Sequence, residues 1–206
     1  MAIHVGLLYS VVIDQTRRVA MADLRGIAES LGYGAVRTLV STGNLVFEAG
    51  ASSVSAIEAD LERAFAAHHG KPVDIIVKTA VDWLDLVAAN PFPVEAEAAP
   101  DRVAVRVMRD PVGQGLLDFL RPYQSRGERV AIAGGHVWIH YRGQPSLSKL
   151  AGQLTPKRMG GIGTARNWNT VRRLGEMVAE NVPPAARQGR VNRAPGRKGT
   201  SGPRLR

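Results

Sequence analysis

The chain contains no cysteine, which removes disulfides, thiol nucleophiles and cysteine-ligated metals at once. Aromatic residues make up only 5% of the 206 residues, with three tryptophans, so a tryptophan in polar company is informative. Long apolar runs are missing too. The opening stretch MAIHVGLLYSVVID is broken by Asp14. It is too short to span a bilayer, and without a basic leading region it makes a poor signal peptide. A cytoplasmic protein without membrane association is expected. There is no Walker-type phosphate loop, and no cluster of acidic residues and histidines at metal-ligand spacing. Neither a metal nor a cofactor is expected.

Acidic residues are absent from two whole segments. The chain carries 27 basic and 18 acidic residues, a net charge of +9. Residues 141–173 hold seven basic residues and no acidic ones, and residues 187–206 repeat that balance. Residues 1–140 are slightly acidic, with 13 basic and 16 acidic residues. The two basic segments differ in kind. The last, RQGRVNRAPGRKGTSGPRLR, offers only Val191 and Leu205 as large apolar residues. It cannot bury enough surface to offset the entropy of ordering it, so residues 183–206 read as a disordered basic tail. Such a tail either binds nucleic-acid phosphates non-specifically or serves only solubility.

What is present is an ordinary globular composition, 45% hydrophobic and 22% charged. Ile3–Tyr9 has strand character. Met21, Leu24, Ala28 and Leu31 recur at helical spacing, with Gly32 placed to stop the helix. Residues 35–48 read as a hairpin turning at Ser41-Thr42-Gly43-Asn44, where Gly43 or Asn44 takes positive φ. Ser55 and Glu58 have capping-box spacing before a helix, and VDIIVK is the next strand. The order β-α-β-β-α-β is ferredoxin-like. Thr79 caps a further helix over 80–89, which Asn90-Pro91-Phe92-Pro93 terminates. VEAEAAPD reads as a linker. The pattern then restarts: a strand in RVAVRVM, a helix at Leu116–Leu120, a hairpin turning at Gly134-Gly135, and helices at about 146–154 and 168–180. The expected architecture is α+β, two linked ferredoxin-like subdomains with antiparallel or mixed sheets, over residues 1–90 and 100–182. One continuous mixed sheet is the alternative.

The most unusual stretch is TARNWNT, Thr164–Thr170. Asn167 suits an N-cap, and Trp168, Val171, Leu174 and Val178 share one helical face. A helix start favours an anion through its free amides and its dipole. Gly160, Gly161 and Gly163 permit close backbone approach, Arg166 can add charge-assisted bonds, and Thr164 and Thr170 add hydroxyls. The plainer reading is a glycine loop before a capped helix, with Trp168 in the core and Arg166 solvated. In PSLSKL, Ser146 and Lys149 have Ser-x-x-Lys spacing, but the companion motifs of that nucleophile class are missing. Lys149 is a candidate anion donor or a solvated side chain. His136, Trp138 and His140 share one strand face, expected to be half exposed. The outer two histidines lie about 13 Å apart, too far to chelate one metal. His140 could carry a proton beside a substrate. Ser41 and Asn44 could rim a pocket. His68 and His69 fit a helix C-terminus, where the dipole favours a cation.

Together, MADLRGIAESLG, VRTLVSTGNLVF, NPFP, IHY, SKL and GTARNWNTVRRL resemble the bacterial conserved hypothetical proteins of domain-of-unknown-function family 1697 (DUF1697), from about His4 to Val178. The resemblance implies two linked α+β subdomains and no activity. It also implies an Arg-Gly-Ile-Asn-Val-Gly-Gly loop after the first strand. Tyr9–Gln15 stands there instead, without the arginine, asparagine or glycines and with Asp14 added. Three readings follow. One is a protein binding an anionic small molecule, nucleotide or nucleic acid through Lys149, Thr164, Arg166, Asn167, Thr170, His140, Ser41 and Asn44. Another is an enzyme on a phosphorylated or carboxylated small molecule, with His140 or Asp14 as acid-base. The last is a scaffold in which TARNWNT joins the subdomains. Oligomeric state is not readable from the sequence.

Overall fold

A computed structural model describes residues 1–180; the basic tail expected over 183–206 lies outside the described residues. The first sheet is built from β1 (Ala2–Leu8), β2 (Gly34–Leu39), β3 (Asn44–Ala49) and β4 (Ile75–Thr79), in the order β2-β3-β1-β4 with every pairing antiparallel. Helices α1 (Met21–Ser30) and α2 (Val54–His69) cover one face, where Leu24, Ile57, Leu61 and Phe65 pack on Leu8, Leu45, Phe47 and Ile75. This is the ferredoxin-like order read from the periodicity.

The second sheet repeats the first. It contains β5 (Val103–Met108), β6 (Arg129–Ala133), β7 (His136–His140) and β8 (Gly163–Asn167), in the order β6-β7-β5-β8, again antiparallel. Two sheets are therefore present, not one continuous sheet. Its outer face packs Ala104, Met108, Val137 and Ile139 against Leu120, Leu150, Leu154 and Met159. Those residues come from α5 (Leu116–Leu120), α6 (Pro156–Met159) and intervening 3₁₀ turns. The helix expected over 146–154 is replaced by two such turns, Pro145–Leu147 and Ala151–Gln153. VEAEAAPD is not a bare linker, because Pro93 opens the short helix α4 (Pro93–Ala98) and Ala96 is buried. Ser53, not Ser55, caps α2 by accepting from the Ala56 amide. Glu58 therefore does not close a capping box; it turns inward and accepts from the Val77 amide.

The remaining faces of the two sheets look toward each other across α3 (Ala80–Ala88) and α7 (Trp168–Ala179). Val5, Leu7, Val46 and Ile76 come from one sheet, and Val103, Val105, Val107 and Trp138 from the other. Helix α7 contributes Val171, Leu174 and Val178, all fully buried, together worth on the order of 5 kcal/mol of apolar burial. The two helices lie close because Gly175 faces Val87; a methyl group at Gly175 would sit 3.2 Å from a Val87 methyl. The His136-Trp138-His140 face, expected to be half exposed, belongs to this interior: Trp138 is fully buried and His136 nearly so. The amphipathic pattern is present, but the covering layer comes from α3 and α7, distant in sequence.

Candidate functional site

β8 is the element that the sequence pattern conceals. Thr164 and Arg166 point inward, between the two sheets, while Gly163, Ala165 and Asn167 lie on the opposite face, where Gly163 is buried against Met108. Thr164 lies opposite Val107 and Arg166 opposite Val105, so both polar side chains enter the space between the two sheets. Gly163 has no room for a side chain, since a methyl group would lie 2.5 Å from Met108 Sδ. The chain then passes directly into α7. Asn167 is its N-cap, accepting from the Thr170 amide and hydroxyl, both at 3.0 Å.

Arg166 is 8% exposed and uses every N–H it has. Nε donates to Asn44 Oδ1 at 2.6 Å. Nη1 donates to Thr164 Oγ1 and to the Ala165 carbonyl, both at 2.8 Å. Nη2 donates to the Leu8 and Thr42 carbonyls at 3.0 and 2.9 Å. A guanidinium has five donors, so the set is complete. It ties β8 to the end of β1 and to the β2–β3 turn, across the two subdomains. All five acceptors are neutral, and no carboxylate of the described residues pairs with the charge. Burial alone pulls its pKa down to about 10, so the side chain remains cationic at neutral pH.

This charge borders a cavity of about 400 Å³ lined by Leu8–Val12, Thr42, Thr164–Asn167 and Thr170. A second buried guanidinium approaches from the other face of the sheet. Arg106 is 7% exposed, its Nε and Nη2 have no hydrogen-bond partner among the described residues, and the Tyr9 phenol is beside it. Desolvation lowers its pKa as well. Tyr9 thus connects the cavity wall to a further cation that has no carboxylate partner among the described residues.

The turn opposite β8 is held by Gly43, whose φ is 73° and where a methyl group would lie 2.7 Å from Leu8 Cβ. Of the two positions expected to take positive φ, Gly43 does so. Val40, at φ 48°, is a strained β-branched residue in the same loop. Asn44 is fully buried; its Nδ2 donates to the Leu39 carbonyl and to Thr42 Oγ1 at 2.8 Å. Thr42 accepts that bond, which leaves its own hydroxyl hydrogen free to donate into the cavity. Sequence reasoning passed over Thr42 in favour of its neighbours, and nothing local marks it as the turn residue that faces β8.

The structure gathers four of the expected site residues, Thr164, Arg166, Asn167 and Thr170, on one cavity, with Asn44 directly behind Arg166. The other three lie elsewhere. Ser41 is exposed in the turn and does not line the cavity. Lys149 is exposed in the loop beside Leu150, which packs into the outer core of the second subdomain. His140 shares the sheet face of Arg166 but is two strands away, its ring 6.2 Å from that of Phe92. Asp14 closes a small turn of its own. It accepts from the Thr16 amide and hydroxyl and from Arg17, which holds its carboxyl well below the usual range. Neither acid-base candidate borders the cavity.

No helix among the described residues is long and apolar enough to cross a membrane. The chain matches, over residues 1–138, the family described as "Protein of unknown function (DUF1697)". β8 and α7 lie beyond that match. A gamma-glutamyl phosphate reductase from Methylocella silvestris is 32% identical over 157 residues, which make up 70% of this chain and 35% of that protein. The chain thus spans about a third of that relative's length. The solved structure of a conserved bacterial protein from Streptococcus pneumoniae matches with a TM-score of 0.65 at 18% identity, covering 86% of this chain and 98% of that one. That likeness establishes the α+β fold with its two four-stranded sheets.

Proposed function

The chain belongs to the family of proteins of unknown function DUF1697, and we propose that it binds a small anionic ligand, a phosphate or carboxylate compound, in the cavity beside Arg166. One observation carries this reading: a buried guanidinium with no carboxylate partner among the described residues stands at the wall of an open cavity. Leaving a buried charge without a counterion costs on the order of several kcal/mol. An anion in the cavity would recover part of that through a short-range field with little water between. Because every Arg166 N–H is already engaged, the arginine acts by its field and by holding the walls in place. Direct hydrogen bonds to the ligand come from the Thr42 hydroxyl and, after rotation away from Asn167, the Thr170 hydroxyl. The start of α7 adds the favourable end of its dipole.

The relative from Methylocella silvestris is named for a phosphorylated carboxylate substrate, a compound of the charge type this cavity suits. Nucleic-acid phosphate is a further candidate through the basic tail, with the cavity taking a terminal phosphate. Isothermal titration of the full chain with inorganic phosphate, a mononucleotide and glutamate tests the proposal. Saturable binding of at least one anion, weakened by Thr42→Val, is expected. No heat from any of the three, or binding indifferent to Thr42, would refute it.

A further inference from the structure

We propose that Asp23, His68 and His69 form a binding site for a first-row divalent transition metal such as zinc, on the side of the first subdomain covered by α1 and α2. Asp23 lies in the first turn of α1, and the two histidines form the last turn of α2. The packing of these helices brings the residues together although 45 positions separate Asp23 from His68 in the chain. Each offers one donor atom, and the three atoms lie within 4.8 Å of one another. Bond lengths of about 2.0–2.2 Å to nitrogen and carboxylate oxygen place neighbouring ligands somewhat closer than that. Small side-chain rotations therefore close the set around one ion.

Two further observations point the same way. His69 Nε2 is buried and has no hydrogen-bond partner among the described residues. A buried ring nitrogen with nothing to bond calls for an explanation, and a metal supplies one. The two imidazoles are also held edge to face, their centroids 4.6 Å apart, with His69 further fixed against Phe65 at 4.4 Å. Adjacent histidines on a helix ordinarily diverge; here both rings are turned toward Asp23.

The electrostatics suit a cation. The C-terminal end of α2 favours positive charge, and Gly70 closes the helix there in the left-handed conformation. Arg17, a nearby cation, is ion-paired with Asp14. The groove between α1 and α2 opens beside Asp23 and His68, leaving room for water or another small ligand to complete the coordination. With no cysteine in the chain, the donor set is nitrogen and oxygen only, which suits zinc, nickel, cobalt or copper.

Zinc titration of the full chain, followed by calorimetry and by melting temperature, tests the site. One zinc ion per chain should bind, and zinc at about 100 times its Kd should raise the melting temperature by about 5 °C or more. His68→Ala is exposed enough to leave the metal-free melting temperature unchanged, yet it should weaken binding at least about tenfold. Asp23→Asn, which keeps the side-chain volume, should do the same. Cobalt should give a visible absorption band that both variants lose. Absence of saturable binding in the wild type would overturn the site. So would affinity that survives both substitutions, since the metal would then be held elsewhere.

Discussion

Of the arginines that cross between the subdomains, Arg109 and Arg166 do so in opposite ways. Arg109, just after β5, reaches back to α2 and β4. It pairs with Glu62 and stands 3.6 Å from Glu58, while its Nη2 also donates to the Ile75 carbonyl. Arg166, on the neighbouring strand, reaches the end of β1 and the β2–β3 turn through three of its five neutral acceptors and meets no carboxylate of the described residues. Both are staples of the same architecture. Only one has its charge compensated within the protein. A cation used purely to join two halves is best matched by an anion from the chain, as at Arg109. Where the bonds are complete and the charge is not, an external anion fits the remaining requirement.

The comparison breaks first at Arg166 itself. Arg166→Ala strips five acceptors of their donor, several of them buried, and should cost about 4 kcal/mol or more, seen as a fall in melting temperature above about 8 °C. A fall of a degree or two would mean that the five bonds contribute little. Arg109→Ala should cost somewhat less, about 3 kcal/mol, by leaving Glu58 buried without its cation. Unlike any Arg166 variant, it should retain the stabilisation that wild type gains from phosphate. Loss of that response in Arg109→Ala would erase the distinction between the two staples.

Acid should weaken the Arg109 side of the interface specifically. His136 accepts from the Met108 amide through Nδ1, and burial brings its pKa down from 6.5 to about 4. The unfolded chain therefore binds a proton over a window in which the folded chain does not. Stability is full above pH 6.5 and is lost as pH falls toward 4, by up to about 3 kcal/mol. Denaturation midpoints measured across that range, with His136→Gln as the comparison, should show the variant with the flatter dependence. Equal slopes would assign the loss to other groups.

Smaller effects separate binding from folding. Thr42→Val removes a hydroxyl whose hydrogen is unused but whose oxygen accepts from Asn44 Nδ2; it should raise the Kd for phosphate about fivefold and cost only about 1 kcal/mol of stability. A large loss of stability with no change in Kd would place Thr42 in the scaffold alone. Smallest of all is Arg121→Ala. It breaks the exposed pair with Asp118 and should alter neither melting temperature nor phosphate affinity, which makes it the control for a general change in charge.

Much of the fold was legible because its signals are local. Thr79 and Asn167 cap the helices they were expected to cap, and Gly134 and Gly135 both take positive φ in the expected turn. β8 was not legible, for a reason that bears on function. Its inward side chains are Thr164 and Arg166, so the apolar alternation that marks a half-buried strand is missing. A strand that points polar groups into the interior looks like a loop in sequence, and that same departure from pattern forms the cavity wall. The reverse error occurred at His136 and His140, where a polar-looking strand face proved to be interior. Lys149 and Ser41 carry suitable chemistry, but nothing local reveals which loops converge. The pairing of Asp23 with His68 and His69 was hidden for the same reason.

The most direct test of the central claim is a titration of the isotopically labelled full chain with inorganic phosphate, following backbone amide resonances. Saturable shifts centred on Ser10, Thr42, Thr164 and Thr170, with the amides around Arg109 unmoved, are the predicted result. Shifts that fail to saturate, or that cluster away from Arg166, would contradict it.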